Sequence, residues 1–163
     1  MADERVESAA AAAEAGSGVD DLLRRLDQGK QVLIDLMESF PAELYDVQQA
    51  AGETVRRFIE RTVDDLNFYY GRLVARALSL PQPPCLATAD LLSLREAILA
   101  VQIAHRRFGT LLHDLAEDDL ERPANDPEHG TYTMRQIVEL ATAQYGLRHQ
   151  QVARVADAPR SGV

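Results

Sequence analysis

The chain has 163 residues, 46% hydrophobic and 26% charged, with a formal net charge of −9. That length supports one domain with a real core, and such an excess of acids argues against nucleic acid and anionic membranes as partners. No apolar run approaches the ~18–20 residues of a membrane-spanning helix, and the single cysteine, Cys85, excludes an internal disulfide framework and a cysteine-rich zinc site.

The N-terminus, MADERVESAAAAAEAGSG, is acidic and alanine-rich. It lacks the basic start and leucine-rich segment of a secretory signal, so a cytoplasmic location is expected. Residues 1–18 are expected to form a flexible arm hinged at Gly16-Ser17-Gly18, or else a partner-binding segment. A first helix is predicted over 20–40, with Leu22, Leu23, Leu26, Val32, Leu33, Leu36, Met37 and Phe40 on its apolar face. Pro41 ends it, and 41–52 is a connection with one helical turn. A second helix is predicted over 54–78, with Phe58, Ile59, Thr62, Leu66, Tyr69, Tyr70, Leu73 and Ala77 as its core stripe. Beside that stripe, Asp64 and Asp65 stand within helical pairing reach of Arg61.

Three prolines in LPQPPCLA (80–87) force an extended crossover, in which Cys85 has no basic neighbour to activate it. A third helix is predicted over 89–115, then an acidic surface connection over 116–130. The closing helix opens with a capping box formed by Thr133 and Gln136. It carries Met134, Ile137, Val138, Ala141, Tyr145, Val152 and Val155 at helical spacing, and Gly146 is expected to mark a close helix contact. Residues 158–163 form a flexible tail. With four long amphipathic helices and no credible strand, the expected fold is an all-α bundle over 19–157.

Two segments carry a family resemblance. GETVRRFIERTVDDLNFYYGRL resembles the second helix of the DinB-like (YfiT-like) four-helix bundle family, a damage-inducible family with long crossover connections. NDPEHGTYTMRQIVELATAQYGLRHQQVARV resembles its closing helix, which ends in His-x-x-x-His. The likeness covers about 20–156. It implies homodimers and a divalent metal, such as nickel or zinc, held by one histidine from helix 2 and two from the closing helix. Family activities include metal-dependent hydrolysis and thiol-dependent transfer or isomerisation.

The chain departs from that pattern at the metal. Thr54 matches the family's serine, Glu53 replaces its tryptophan, and the helix 2 histidine position holds Arg61. On the closing helix one register puts Gln144 and Arg148 at the histidine positions, and a shift by one gives Tyr145 and His149. Arginine does not ligate a metal, so no cofactor is expected. The candidate site is a polar pocket lined by Arg61, Asp65, Gln144, Tyr145, Arg148 and His149, in which two guanidiniums hold a small anionic ligand. The plainer alternative is an ion pair of Arg61 with Asp64 or Asp65 in place of the metal.

Three functions are compatible with this pattern. One is a small-ligand-binding or stress-associated bundle without a metal. The second is a hydrolase or transferase with a nickel or zinc site rebuilt from His149, His129 and a carboxylate such as Asp126. The third is a structural dimer that uses the alanine-rich arm as its contact. His105 and His113, eight apart on helix 3, are expected in surface or capping roles.

Overall fold

The computed structural model describes residues 18–84 and 88–158. The alanine-rich arm up to residue 17, Cys85 and the last five residues lie outside the described residues.

Helix α1 (Val19–Ser39) buries Leu22, Leu26, Leu33, Ile34 and Met37 on one face. It starts with Asp20 and Asp21, which suit the positive end of a helix dipole. Its N-terminal N–H at Val19 is satisfied by Glu117 Oε1 at 2.9 Å, 98 residues away in sequence. A 3-10 turn (Ala42–Leu44) leads to the second helical rod, which has three parts: α2 (Val55–Asp64), a π-helical turn (Asp65–Tyr70) and α3 (Gly71–Ala77). The backbone stays helical throughout. The rod opens where Thr54 Oγ1 accepts Arg57 N at 3.2 Å. It closes at Ser79, which takes a left-handed φ of 55° while Leu80 N reaches back to Ala75 O at 2.8 Å.

The π turn depends on Gly71. A Cβ there would sit 2.8 Å from the carbonyl oxygen of Leu66, the very group that accepts the Gly71 N–H. No other residue leaves that space.

Residues 88–92 lie along the rod as an extended strap. Ala89 N donates to Asp64 Oδ1 at 2.8 Å and Leu91 N to Glu60 Oε1 at 3.0 Å. Glu60 is buried, and its Oε1 also takes Arg56 Nε at 2.8 Å. Arg56 reaches on to Asp46 at 3.0 Å and to Asp90, so one guanidinium ties two connections to the rod. These anchors hold 89–91 extended, which is why α4 (Leu94–Leu111) starts at the Ser93 cap and is shorter than the predicted 89–115.

After α4 comes a 3-10 turn (Glu117–Glu121), followed by strands β1 (Pro123–Asp126) and β2 (Gly130–Thr133), paired antiparallel with Asp126 opposite Gly130. This hairpin corrects the expectation of no strand. Its three-residue loop, 127–129, closes on Gly130 at φ 93°, a left-handed backbone that favours glycine. Helix α5 (Met134–Asp157) begins with the predicted capping box. Gln136 N meets Thr133 Oγ1 at 3.2 Å, and Thr133 N meets Gln136 Oε1 at 2.9 Å.

The chain is therefore mainly helical, and its four rods pack around one core. Both α1 and the second rod lie against α4 and α5, so α1 and the second rod face each other across the diagonal. Helix α1 runs parallel to α5 and the second rod parallel to α4. Phe108, Leu112, Leu120, Met134 and Ile137 join the α1 residues in the interior, each such side chain worth ~1.5–3 kcal/mol on burial. The close helix approach falls at Gly29, whose Cβ position is 3.3 Å from Tyr145 Cβ. At Gly146, expected to mark it, a Cβ would meet nothing within 4 Å. Among the described residues no helix is long and apolar enough to cross a membrane.

Candidate functional site

Helix α5 presents two polar faces to two different neighbours, which separates the two registers that the sequence left open. Gln144 and Arg148 face the second rod, whereas Tyr145 and His149 face α1.

Toward the second rod, Arg148 is 7% exposed. Its Nε donates to Thr62 Oγ1 at 3.0 Å and its Nη1 to Gln151 Oε1 at 2.9 Å. Thr62, itself fully buried, passes its hydroxyl proton to Phe58 O at 2.9 Å. One turn away Gln144 donates its amide to Asp65 Oδ2. Gln144 Oε1 is buried with no hydrogen-bond partner among the described residues. Burial pushes the Asp65 carboxyl above its ordinary range, against the pull of the Gln144 amide and the Arg148 charge. Burial likewise lowers the Arg148 pKa, with Asp65 opposing. The Tyr70 hydroxyl nearby is pushed up to about 12, by burial and then by the Asp65 charge. No ion pair of Arg148 occurs among the described residues, so Asp65 acts on it only through space.

The other predicted members lie elsewhere. Arg61 is half exposed and pairs with Glu53, its neighbour across the start of α2. It pairs with neither aspartate, because Asp64 holds the strap and Asp65 is taken by Gln144. Tyr145 points the opposite way, with its hydroxyl 2.9 Å from His105 Nδ1. His149 lines a shallow groove against Arg25, Gln28 and Val32 of α1. The structure thus brings together Asp65, Gln144 and Arg148, adds Thr62 and Gln151, and leaves Arg61, Tyr145 and His149 outside. Thr62 had a signal in the sequence: a hydroxyl inside an otherwise apolar core stripe needs a partner.

The histidines also distribute differently from expectation. His105 is 8% exposed, a core residue and not a surface one. His129 Nδ1 lies 2.9 Å from Asp126 Oδ2, which also takes the Tyr69 hydroxyl at 2.6 Å. With Glu128 N on its other oxygen at 2.9 Å, Asp126 has its pKa pulled down to about 2, first by the Tyr69 hydrogen bond. That carboxylate fastens the hairpin to the second rod. His149 is on another face, so the rebuilt triad of His129, His149 and Asp126 does not converge, and among the described residues no three His, Cys, Asp or Glu side chains do.

The residues at the resembled family's ligand positions do not fit a metal. Guanidinium nitrogens carry no free lone pair, the Gln144 amide oxygen is at most a single ligand, and Arg61 turns away to Glu53. What the cluster offers is a buried cation, beside an amide and a hydroxyl that already donate to Asp65 and Phe58. Comparison of the chain with models of protein families, with curated proteins and with solved structures found no match.

Proposed function

We propose that the chain is a DinB-like four-helix bundle that has given up the family's metal and binds a small anion, a carboxylate or phosphate, between α5 and the second rod. Arg148 is the anchor and Gln144 and Thr62 flank it. The observation that supports this reading most is Arg148 itself, a guanidinium taken out of water with neutral oxygens as its direct partners. Such a charge is costly unless paired, and an oxyanion would complete it by a two-pronged hydrogen bond. A homodimer is proposed with this reading, to be checked by light scattering.

Titration calorimetry with inorganic phosphate and with acetate tests the proposal. A saturable binding event present in the native protein and missing from Arg148→Met supports it, and identical isotherms for the two proteins sink it. A second reading is favoured by Gln144–Asp65 and Arg148–Thr62 themselves, which use much of the cluster's hydrogen-bonding capacity internally: a structural bundle with a polar staple. It gains if phosphate and acetate both fail to bind.

A further inference from the structure

The groove between α1 and α4 lies on the opposite side of α5 from the Arg148 cluster, encloses about 890 Å³ and is lined by polar side chains. At its floor is His105, held between Tyr145 Oη at 2.9 Å from Nδ1 and Asp27 Oδ1 at 2.7 Å from Nε2. The Tyr145 side chain is 1% exposed, and among the described residues His105 is the partner of its hydroxyl. A buried tyrosine hydroxyl donates its proton, so Nδ1 supplies the lone pair and the ring proton sits on Nε2. A second proton on the ring would leave the Tyr145 O–H without an acceptor. His105 therefore presents a fixed N–H donor to the groove.

The groove also collects cations, in a chain whose net charge is −9. Lys30 and Arg106 line it, and neither makes an ion pair among the described residues; Lys30 reaches only the Gln31 amide oxygen, at 3.2 Å. Gln102 and Thr110 add neutral hydrogen-bonding groups. Among the described residues the one carboxylate in the lining is Asp27, whose side chain is 72% exposed. A carboxylate so open to water is well solvated without the imidazole N–H, and its hold on the ring is weak.

We infer that this groove is a binding site for a small oxyanion, phosphate or carboxylate, that takes the place of the Asp27 carboxylate on the Nε2–H of His105. Lys30 and Arg106 close on it from the two helices. Asp27 is the internal competitor: it satisfies the imidazole N–H in the absence of ligand and swings into water when one arrives. The site shares no residue with the Arg148 cluster.

The test is titration of the ¹⁵N-labelled full-length protein with inorganic phosphate, and in parallel with acetate, following the imidazole nitrogen signals of His105. A saturable shift of Nε2 with one or both probes is expected, and the probe that saturates at lower concentration identifies the ligand class. Asp27→Asn removes the competing charge and should tighten binding about tenfold, the equivalent of ~1.4 kcal/mol. Lys30→Ala with Arg106→Ala should weaken it by a similar factor, and Arg148→Met should leave it unchanged, which separates this site from the other. A His105 signal that does not move, binding no tighter in Asp27→Asn, or binding indifferent to loss of both cations would each overturn the inference. If Asp27→Asn fails to fold, the double alanine variant decides.

Discussion

Arg148 Nε and Thr62 Oγ1 lie 3.0 Å apart where α5 crosses the second rod, and the same hydroxyl donates to Phe58 O. A threonine in a core stripe thus becomes the acceptor for a buried cation. Thr62→Val keeps the shape and removes the acceptor, leaving a buried guanidinium N–H unpaired, at a cost of ~1–3 kcal/mol. Arg148→Met removes the charge together with its need for partners and should cost less. Urea denaturation of both single variants and the double variant gives the coupling. The prediction is that Thr62→Val costs much less in the Arg148→Met background than in the native one.

Two glycines in helical backbone should respond to alanine with opposite signs. At Gly71 the new methyl would be 2.8 Å from Leu66 O, so the π turn has to shift. A loss of ~1–3 kcal/mol is expected, in the range of strained core substitutions. At Gly146 the methyl meets nothing within 4 Å, and the gain in helix propensity should stabilise by ~0.5–1 kcal/mol. Denaturation midpoints settle both, and a stabilising Gly71→Ala would contradict the account of the π turn.

The strap along the second rod depends on Glu60, buried with Arg56 Nε at 2.8 Å and Leu91 N at 3.0 Å on one oxygen. Glu60→Ala leaves the Leu91 N–H without its acceptor, while Arg56 keeps Asp46 and Asp90, and is expected to cost ~1–3 kcal/mol, as for a buried donor left unpaired. Glu60→Gln keeps an acceptor oxygen and should cost less. Amide hydrogen exchange at Leu91 should accelerate in the alanine variant before the helices lose protection.

His105 gives stability a definite pH dependence. Burial lowers its pKa from the ordinary 6.5, although Asp27 pulls the other way. The folded state therefore prefers the neutral ring. Its contribution is complete above pH 6.5 and declines as the pH falls below that value toward the depressed folded pKa. Asp65 acts in the opposite sense, because a carboxyl raised by burial destabilises most when ionised and is relieved on acidification. Asp126, pulled down to about 2, stabilises fully above the pH 3.8 of an ordinary aspartate and loses that contribution only as the pH falls from there toward its folded value. Comparing His105→Gln with the native protein between pH 8 and 5 isolates the histidine: the variant should lose less stability over that interval. Tyr145→Phe, which removes the hydroxyl that would be orphaned, should raise the His105 pKa in an NMR titration.

Much of the helical framework was legible because apolar spacing and capping chemistry are local. The Thr133–Gln136 box and the Pro41 stop both depend on neighbours in sequence. The hairpin was not legible, since each strand has four residues, with no alternating apolar pattern in PAND or GTYT. It is held from outside by Tyr69 and Arg76, the latter reaching Asn125 O at 3.0 Å. The candidate cluster was half legible. Period alone places Gln144 and Arg148 on one face, but it cannot say which helix that face meets, nor that Arg61 prefers Glu53 to Asp65. The Asp27–His105–Tyr145 chain joins three helices and rests on contacts 78 and 40 residues apart, beyond any local signal.

The central claim is that Arg148 and Gln144, set against Thr62 and Asp65, form a polar core that takes no metal. Elemental analysis of the purified protein, after mild dialysis with added nickel and zinc, tests it most directly. The account predicts metal far below one ion per chain, unchanged in Arg148→Met. Near-stoichiometric nickel or zinc, lost on replacing Asp65 or Gln144 by alanine, would contradict it.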